Sequence, residues 1–413
     1  MQLLALFVCM MMAPALVMAQ EAESELTDQE QALIEKALGE DAAQAAQVPG
    51  PKPLIIPTEP IRLQGGQVST QSMMNPAIAL IVDFALASFS SDEPLQTGAH
   101  DPTKSGFNLQ QFEFHAESKI DQHFDLQVNL LFSEFGVEIE EIYAQTLSLP
   151  FSLKARVGQF LLPFGRINPT HPHSWHFVDQ ALVIGTFFGG EGGRGMGAEI
   201  SWLAPLPWFA EFTLAMNQKA GECCSKSYPT GLSDTIDGLE DFLYTGRLVQ
   251  FFDLTDSFDM LLGGSYVVGQ NGTGPNNQTH LRGGDLLLKY KSPRSANRTY
   301  TSLQLEWTQR VSQVPGDTIE AHGGYLQWLL GLTPKWEVGA RYEWVDGTEQ
   351  DPFALAPDAT RRRYSGQVTW YPSHFSRIRL QGSQDTPSWR EDPIVAWMLA
   401  FEVLAGAHGA HKY

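Results

Sequence analysis

Charged side chains in this chain recur at every second position, interleaved with apolar ones. Lys154 and Arg156 alternate with Leu153, Ala155 and Val157, and Arg377 and Arg379 flank Ile378. Arg247, Lys289, Arg341 and Arg363 hold the polar positions of similar stretches, as do Glu113, Asp125, Glu306, Glu337 and Glu343. Opposed rings of cationic and anionic groups around water set a transverse field that orients and filters small solutes. A second chemistry is offered by His171, His173 and His176, which cluster in one stretch, and by His408 and His411 near the other end of the chain. Neutral imidazoles so close together can bind zinc or copper. They can equally pack beside Trp175 and the neighbouring prolines. Covalent catalysis has no comparable basis: no nucleophile motif of the Gly-x-Ser-x-Gly kind occurs, and an enzyme is not expected.

The elements that carry these groups alternate with period two from about residue 75 onward. Phe124, Leu126, Val128, Leu130 and Phe132 share one face, and Asp125, Gln127 and Asn129 the other. Trp336, Val338, Ala340, Tyr342 and Trp344 are backed in the same way by Glu337, Gly339, Arg341 and Glu343. Successive strand side chains point to opposite faces, so each stretch has an oily and a polar surface. A soluble sandwich would turn the oily face inward; a membrane barrel turns it to lipid and lines a lumen with the polar one. Aromatics at both ends of an oily face favour the barrel. Eight residues at roughly 3.3 Å, tilted by ~40°, give about 20 Å of height, close to the ~25 Å apolar band between aromatic girdles.

Sixteen such segments are expected: about 76–90, 107–118, 121–133, 137–148, 151–162, 195–203, 208–217, 240–251, 257–268, 281–291, 298–311, 319–330, 334–346, 361–370, 374–383 and 393–405. Connections after even-numbered segments are short, while those after odd-numbered ones are mostly long, including 91–106, 163–194, 218–239 and 347–360. Short turns at the periplasmic end and long loops outside are the pattern of an outer-membrane barrel. The expected fold is therefore an all-β, transmembrane antiparallel β-barrel of about sixteen strands, enclosing water. The longest connection, 163–194, is aromatic and apolar with glycines in 189–197, and is expected to fold into the mouth and narrow the lumen.

Composition agrees. The chain has 413 residues, with 47 acidic against 27 basic side chains and a net charge of -20, which argues against nucleic acid as a partner. Its 37 glycines and 25 prolines suit strands joined by turns rather than a helical fold. Residues 1–19 read as a signal peptide, with Val17 and Ala19 before a cut at Gln20. Residues 20–66 read as an acidic helix over 24–45, opened by the Thr27–Glu30 capping pattern, followed by a proline-rich periplasmic linker. Residues 67–413 are assigned to the barrel. Beyond Cys9 in the leader, the cysteines are the adjacent Cys223 and Cys224, either a vicinal disulfide or two thiols in a loop.

The stretch from Arg156 to Val183, RVGQFLLPFGRINPTHPHSWHFVDQALV, resembles bacterial outer-membrane porins of the phosphate-selective O/P type. There a basic R-x-G-x-F strand leads into P-F-G and then a loop with an F-x-x-x-x-L run. The matching residues are Arg156, Gly158, Phe160, Pro163, Phe164, Gly165, Phe177 and Leu182. The resemblance covers about thirty residues and is architectural elsewhere. It implies a sixteen-stranded channel in the outer membrane of a Gram-negative bacterium, usually trimeric, passing small hydrophilic solutes or ions past its third external loop. Two features depart from that group. Arginines here are interleaved with acids rather than forming an unbroken ladder, and the chain ends in the Gly/His-rich LAGAHGAHKY. A metal (zinc) uptake or binding protein that uses the loop and terminal histidines is the alternative function.

Overall fold

In the computed structural model, residues 76–133, 136–221, 223–229, 236–292, 299–346 and 359–406 are described. The expected leader, acidic helix and linker, and His408 and His411, lie outside the described residues.

Sixteen strands close into one antiparallel barrel, each paired with its neighbour in sequence and the first with the last. They are β1 (Ala77–Phe89), β2 (Gly106–Lys119), β3 (Phe124–Ser133), β4 (Gly136–Thr146), β5 (Leu153–Leu161), β6 (Arg194–Leu203), β7 (Phe209–Asn217) and β8 (Leu243–Thr255). The circuit continues through β9 (Phe258–Gln270), β10 (Gln278–Lys291), β11 (Tyr300–Val314), β12 (Asp317–Thr333), β13 (Trp336–Asp346), β14 (Thr360–Ser373), β15 (Ser376–Pro387) and β16 (Ile394–Gly406). The segments expected from alternation are these strands, with ends displaced by a few residues. Closure removes the unpaired edges that an open sheet of this width would expose.

The two faces separate as the period predicts. Along β13, Glu337, Arg341, Glu343 and Val345 are buried, whereas Trp336 is well exposed. On the outer face Trp336 stacks on Trp370 at the short-turn end, with ring centroids 6.1 Å apart. Tyr342 stacks on Trp344 (5.7 Å) and meets Tyr364 at a tilt (4.9 Å) toward the long-loop end. Bulges break the alternation within β2 and β4. In β2, Gln110 is the extra residue opposite Asp83 and Phe84. In β4, Glu140 is the extra residue, since Asn129 pairs with Glu141 and Leu130 with Ile139. A bulge can aim two consecutive side chains to the same face.

The connection between β5 and β6 runs into the barrel and carries a short helix, α1 (Leu182–Phe187), every residue of which is buried. Around it lies an apolar core: Leu162, Phe164, Ile167, Val183, Ile184, Phe187 and Phe188 of the loop against Leu243, Val267, Leu281, Ala321, Tyr325 and Val345 of the wall. The loop after β7 adds Tyr228 to this core and carries Cys223 and Cys224, joined as a vicinal disulfide.

Candidate functional site: the lumen and its constricting loop

The loop is seated on the wall first by Glu306. Gly165 adopts φ 61°, and a Cβ there would lie 2.3 Å from Glu306 Oε2, so this turn of the Pro-Phe-Gly motif requires glycine. Past that turn the Arg166 and Ile167 amides donate to the two Glu306 oxygens at 3.0 and 2.8 Å, and the Tyr325 hydroxyl donates at 2.5 Å. Phe164 fills the gap left by an inward glycine: a Cβ on Gly283 would lie 2.6 Å from its Cζ.

The far end of the loop is held by arginines. Asp179 lies between Arg341 (Oδ1–Nη2 2.5 Å) and Arg363 (Oδ2–Nη1 2.9 Å) and also accepts from Gln381 at 2.8 Å. Burial works to raise its pKa, but Arg341 and Arg363 outweigh that and hold it below the ordinary carboxylate value. Arg363 continues to Asp385 (2.9 Å), which Arg361 also engages at 2.5 Å. Arg377 donates to the His173 and Trp175 carbonyls at 2.5 and 2.8 Å. Arg379 donates to the Phe177 carbonyl at 3.1 Å and to Asp83 at 2.8 Å. At the start of α1, the Leu182 amide donates to Glu343 Oε1 at 2.9 Å. From the loop after β1, Asp101 accepts from the Gly98 and Gln180 amides at 2.9 and 2.8 Å. Burial, and then the negative charge of Asp179, push the Asp101 carboxyl up to about 6.

The three loop histidines each meet a different part of the wall. His176 Nδ1 lies 3.0 Å from Glu337 of β13, which the Tyr300 hydroxyl also engages. His173 Nδ1 lies 2.6 Å from Glu113 of β2. His171 Nδ1 lies 2.7 Å from Glu140, and its Nε2 lies 3.0 Å from Glu141. Desolvation opposes charge on His171, yet Glu140 and Glu141 together hold its pKa well above the ordinary value. His171 and His173 stack with centroids 5.6 Å apart, while His176 lies against Glu337 of β13.

The remaining residues expected on the lumen wall also point inward. Arg156 pairs with Glu199 at 2.7 Å and lies 4.2 Å over the Phe160 ring. Arg247 makes two bonds to Asp285, at 2.7 and 3.0 Å. Lys289 lies 5.7 Å over the Tyr300 ring. Lys154 and Asp125 are half-buried. Thus Glu113, Glu306, Glu337, Arg341, Arg363, Arg377 and Arg379, expected as groups lining a water-filled pore, form a socket for the loop. Alternation alone does not single out Asp179, Glu140, Glu141, Asp385 or Gln381. For Asp179 the signal is an acid set in the mainly apolar run 177–188; for Glu140 and Glu141 the bulge hides it.

No protein-family model matches the chain. An uncharacterized protein of Aquifex aeolicus is 29% identical over 392 residues, covering 85% of this chain and 83% of that one. Among solved structures, an anion-selective porin from Comamonas acidovorans superposes with a TM-score of 0.53 at 12% identity, over 80% of this chain and 99% of that one. The fold is that of the sixteen-stranded outer-membrane porins. The outer membrane channel DcaP of Acinetobacter baumannii gives a TM-score of 0.52 at 9% identity, over 81% and 98% of the two chains. Pseudomonas putida OprB gives 0.52 at 9% identity, over 81% and 95%.

Proposed function

We propose that this chain is an outer-membrane channel of a Gram-negative bacterium for passive diffusion of small hydrophilic solutes or ions, narrowed by the loop between β5 and β6. The observation that carries the reading is the inversion of polarity. Tryptophans and aliphatics are exposed on the outer face of the strands, while arginines, glutamates and aspartates are turned to the interior. Charges on a lipid-facing surface are costly at the bilayer midplane, and a sixteen-stranded barrel is wide enough to hold water and a folded-in loop.

The likeness to phosphate-selective porins supports a loop-constricted channel more than it supports phosphate. Arg341, Arg363, Arg377 and Arg379 are each matched by Asp179, Asp385, Asp83 or Glu402. Paired guanidiniums offer little net field to an anion, so weak ion selectivity is the expected behaviour. A homotrimer is the assembly we propose, in line with the implied family. The reading is tested by inserting purified protein into planar lipid bilayers. Discrete ohmic current steps are expected, and a folded, inserted protein that never conducts would refute it.

A further inference from the structure

One group of inward side chains has the composition of a ligand set rather than of a simple anchor. The bulge in β4 presents Glu140 and Glu141 side by side, both buried, to the same imidazole. Glu113 reaches the same place from β2, also buried. One oxygen of Glu113, one oxygen of Glu140 and a ring nitrogen of His171 all lie within 4.8 Å of one another. The second His171 nitrogen faces Glu141, and Glu113 is oriented by His173.

We propose that Glu113, Glu140 and His171 form a site for a divalent transition cation, with zinc the ion that fits the donor set, at the point where the loop meets β2 and β4. Zinc takes nitrogen and carboxylate oxygen at ~2.0–2.2 Å in a tetrahedron, which sets ligand atoms about 3.4 Å apart. Reaching that size opens the His171 Nδ1–Glu140 contact, now 2.7 Å, and closes the sides that lie within 4.8 Å. Zinc displaces the Nδ1 proton of His171 to solvent and binds there, while the Nε2–H is held by Glu141. That is the carboxylate–histidine–metal arrangement that fixes ring orientation and raises ligand basicity. A solvent molecule completes the four-coordinate shell, and the carboxylates supply the negative charge. Magnesium and calcium prefer shells of six or more oxygens, which an imidazole and two carboxylates do not build. The ion ties loop residue 171 to the wall between β2 and β4. Zinc is thereby a ligand of the constriction of the proposed channel, although its binding is measurable whether or not the barrel conducts.

The test is calorimetric titration of zinc chloride into the full chain in detergent micelles, in a parent carrying His408→Ala and His411→Ala to remove the other His-rich stretch. One zinc per chain is expected. His171→Ala and Glu140→Gln each weaken binding by about 100-fold or more, and Glu141→Gln, which only orients the ring, by roughly 10–100-fold. His176→Ala leaves the affinity unchanged, because His176 lies on Glu337. Cobalt(II) gives an independent readout, a visible band that disappears in His171→Ala. Heat-modifiable migration confirms that each variant is folded. A parent that binds no zinc stoichiometrically would overturn the site. So would an affinity insensitive to both His171→Ala and Glu140→Gln, or one lost equally in His176→Ala.

Discussion

Asp179→Asn isolates the grip of the wall on the loop. The native carboxylate is buried between two guanidiniums and takes a third bond from Gln381. Asparagine keeps the shape, loses the charge and turns an amide toward Arg363 or Arg341. Removing one partner of a buried ion pair costs ~3–5 kcal/mol, because the charge left behind is uncompensated. Here each arginine keeps a second acid, Asp385 for Arg363 at 2.9 Å and Glu343 for Arg341 at 3.0 Å. The low end, about 3 kcal/mol, is therefore expected, or a factor of roughly 100 in the equilibrium between seated and released loop. The Glu306 anchor, near residues 165–167, is untouched, so the barrel stays folded and only the 177–187 end loosens. Single-channel recording is the assay. The variant should show larger or flickering current steps against the steady steps of the native chain, with faster amide exchange across 177–187. Native-like conductance, noise and exchange in Asp179→Asn would refute the idea that this contact holds the constriction.

Other outcomes follow from the same geometry. Gly283→Ala drives a methyl into Phe164 and should cost ~1–3 kcal/mol by overpacking, read as a lower temperature for loss of heat-modifiable migration. Gly165→Ala should be worse, combining a left-handed backbone with a contact on Glu306; an unchanged transition in both variants would contradict the seating of the motif. Acidification should tighten the Asp101 contact. Its carboxyl is raised from 3.8 to about 6 when docked, so the docked state binds the extra proton. The stabilisation is complete below about 3.8 and lost as pH rises through about 6. Amide protection at Gly98 and Gln180, corrected for intrinsic exchange, should rise between pH 7 and about 4.5, and a flat profile would count against it. Reversal potentials in a potassium chloride gradient should stay near zero. A strongly anion-selective value would show that the paired arginines still act as an anion path.

Much of this architecture is legible in the amino-acid order because the period of two is imposed by the pleat and reinforced by the solvent on each side. β13 reads directly as Trp336 and Val338 outside, Glu337 and Arg341 inside. Loop asymmetry likewise survives, since only the turn after an even strand has to be tight. What alternation does not encode is what an inward side chain meets. Arg341 looks the same in sequence whether it faces water or Asp179, a residue 162 positions away. The β4 bulge is illegible for a different reason. Glu-Ile-Glu-Glu-Ile still alternates on paper up to Glu140, and a single inserted residue shifts the phase without any glycine or proline to mark it.

The orientation of the oily face is tested most directly by tryptophan quenching in reconstituted vesicles. Trp202, Trp307, Trp328, Trp336 and Trp397 are all about half exposed on the outer surface. Phospholipids brominated on their acyl chains should quench most of the emission, whereas an aqueous quencher should reach little of it. Emission untouched by brominated lipid, from a protein that stays in solution without detergent, would contradict the membrane barrel.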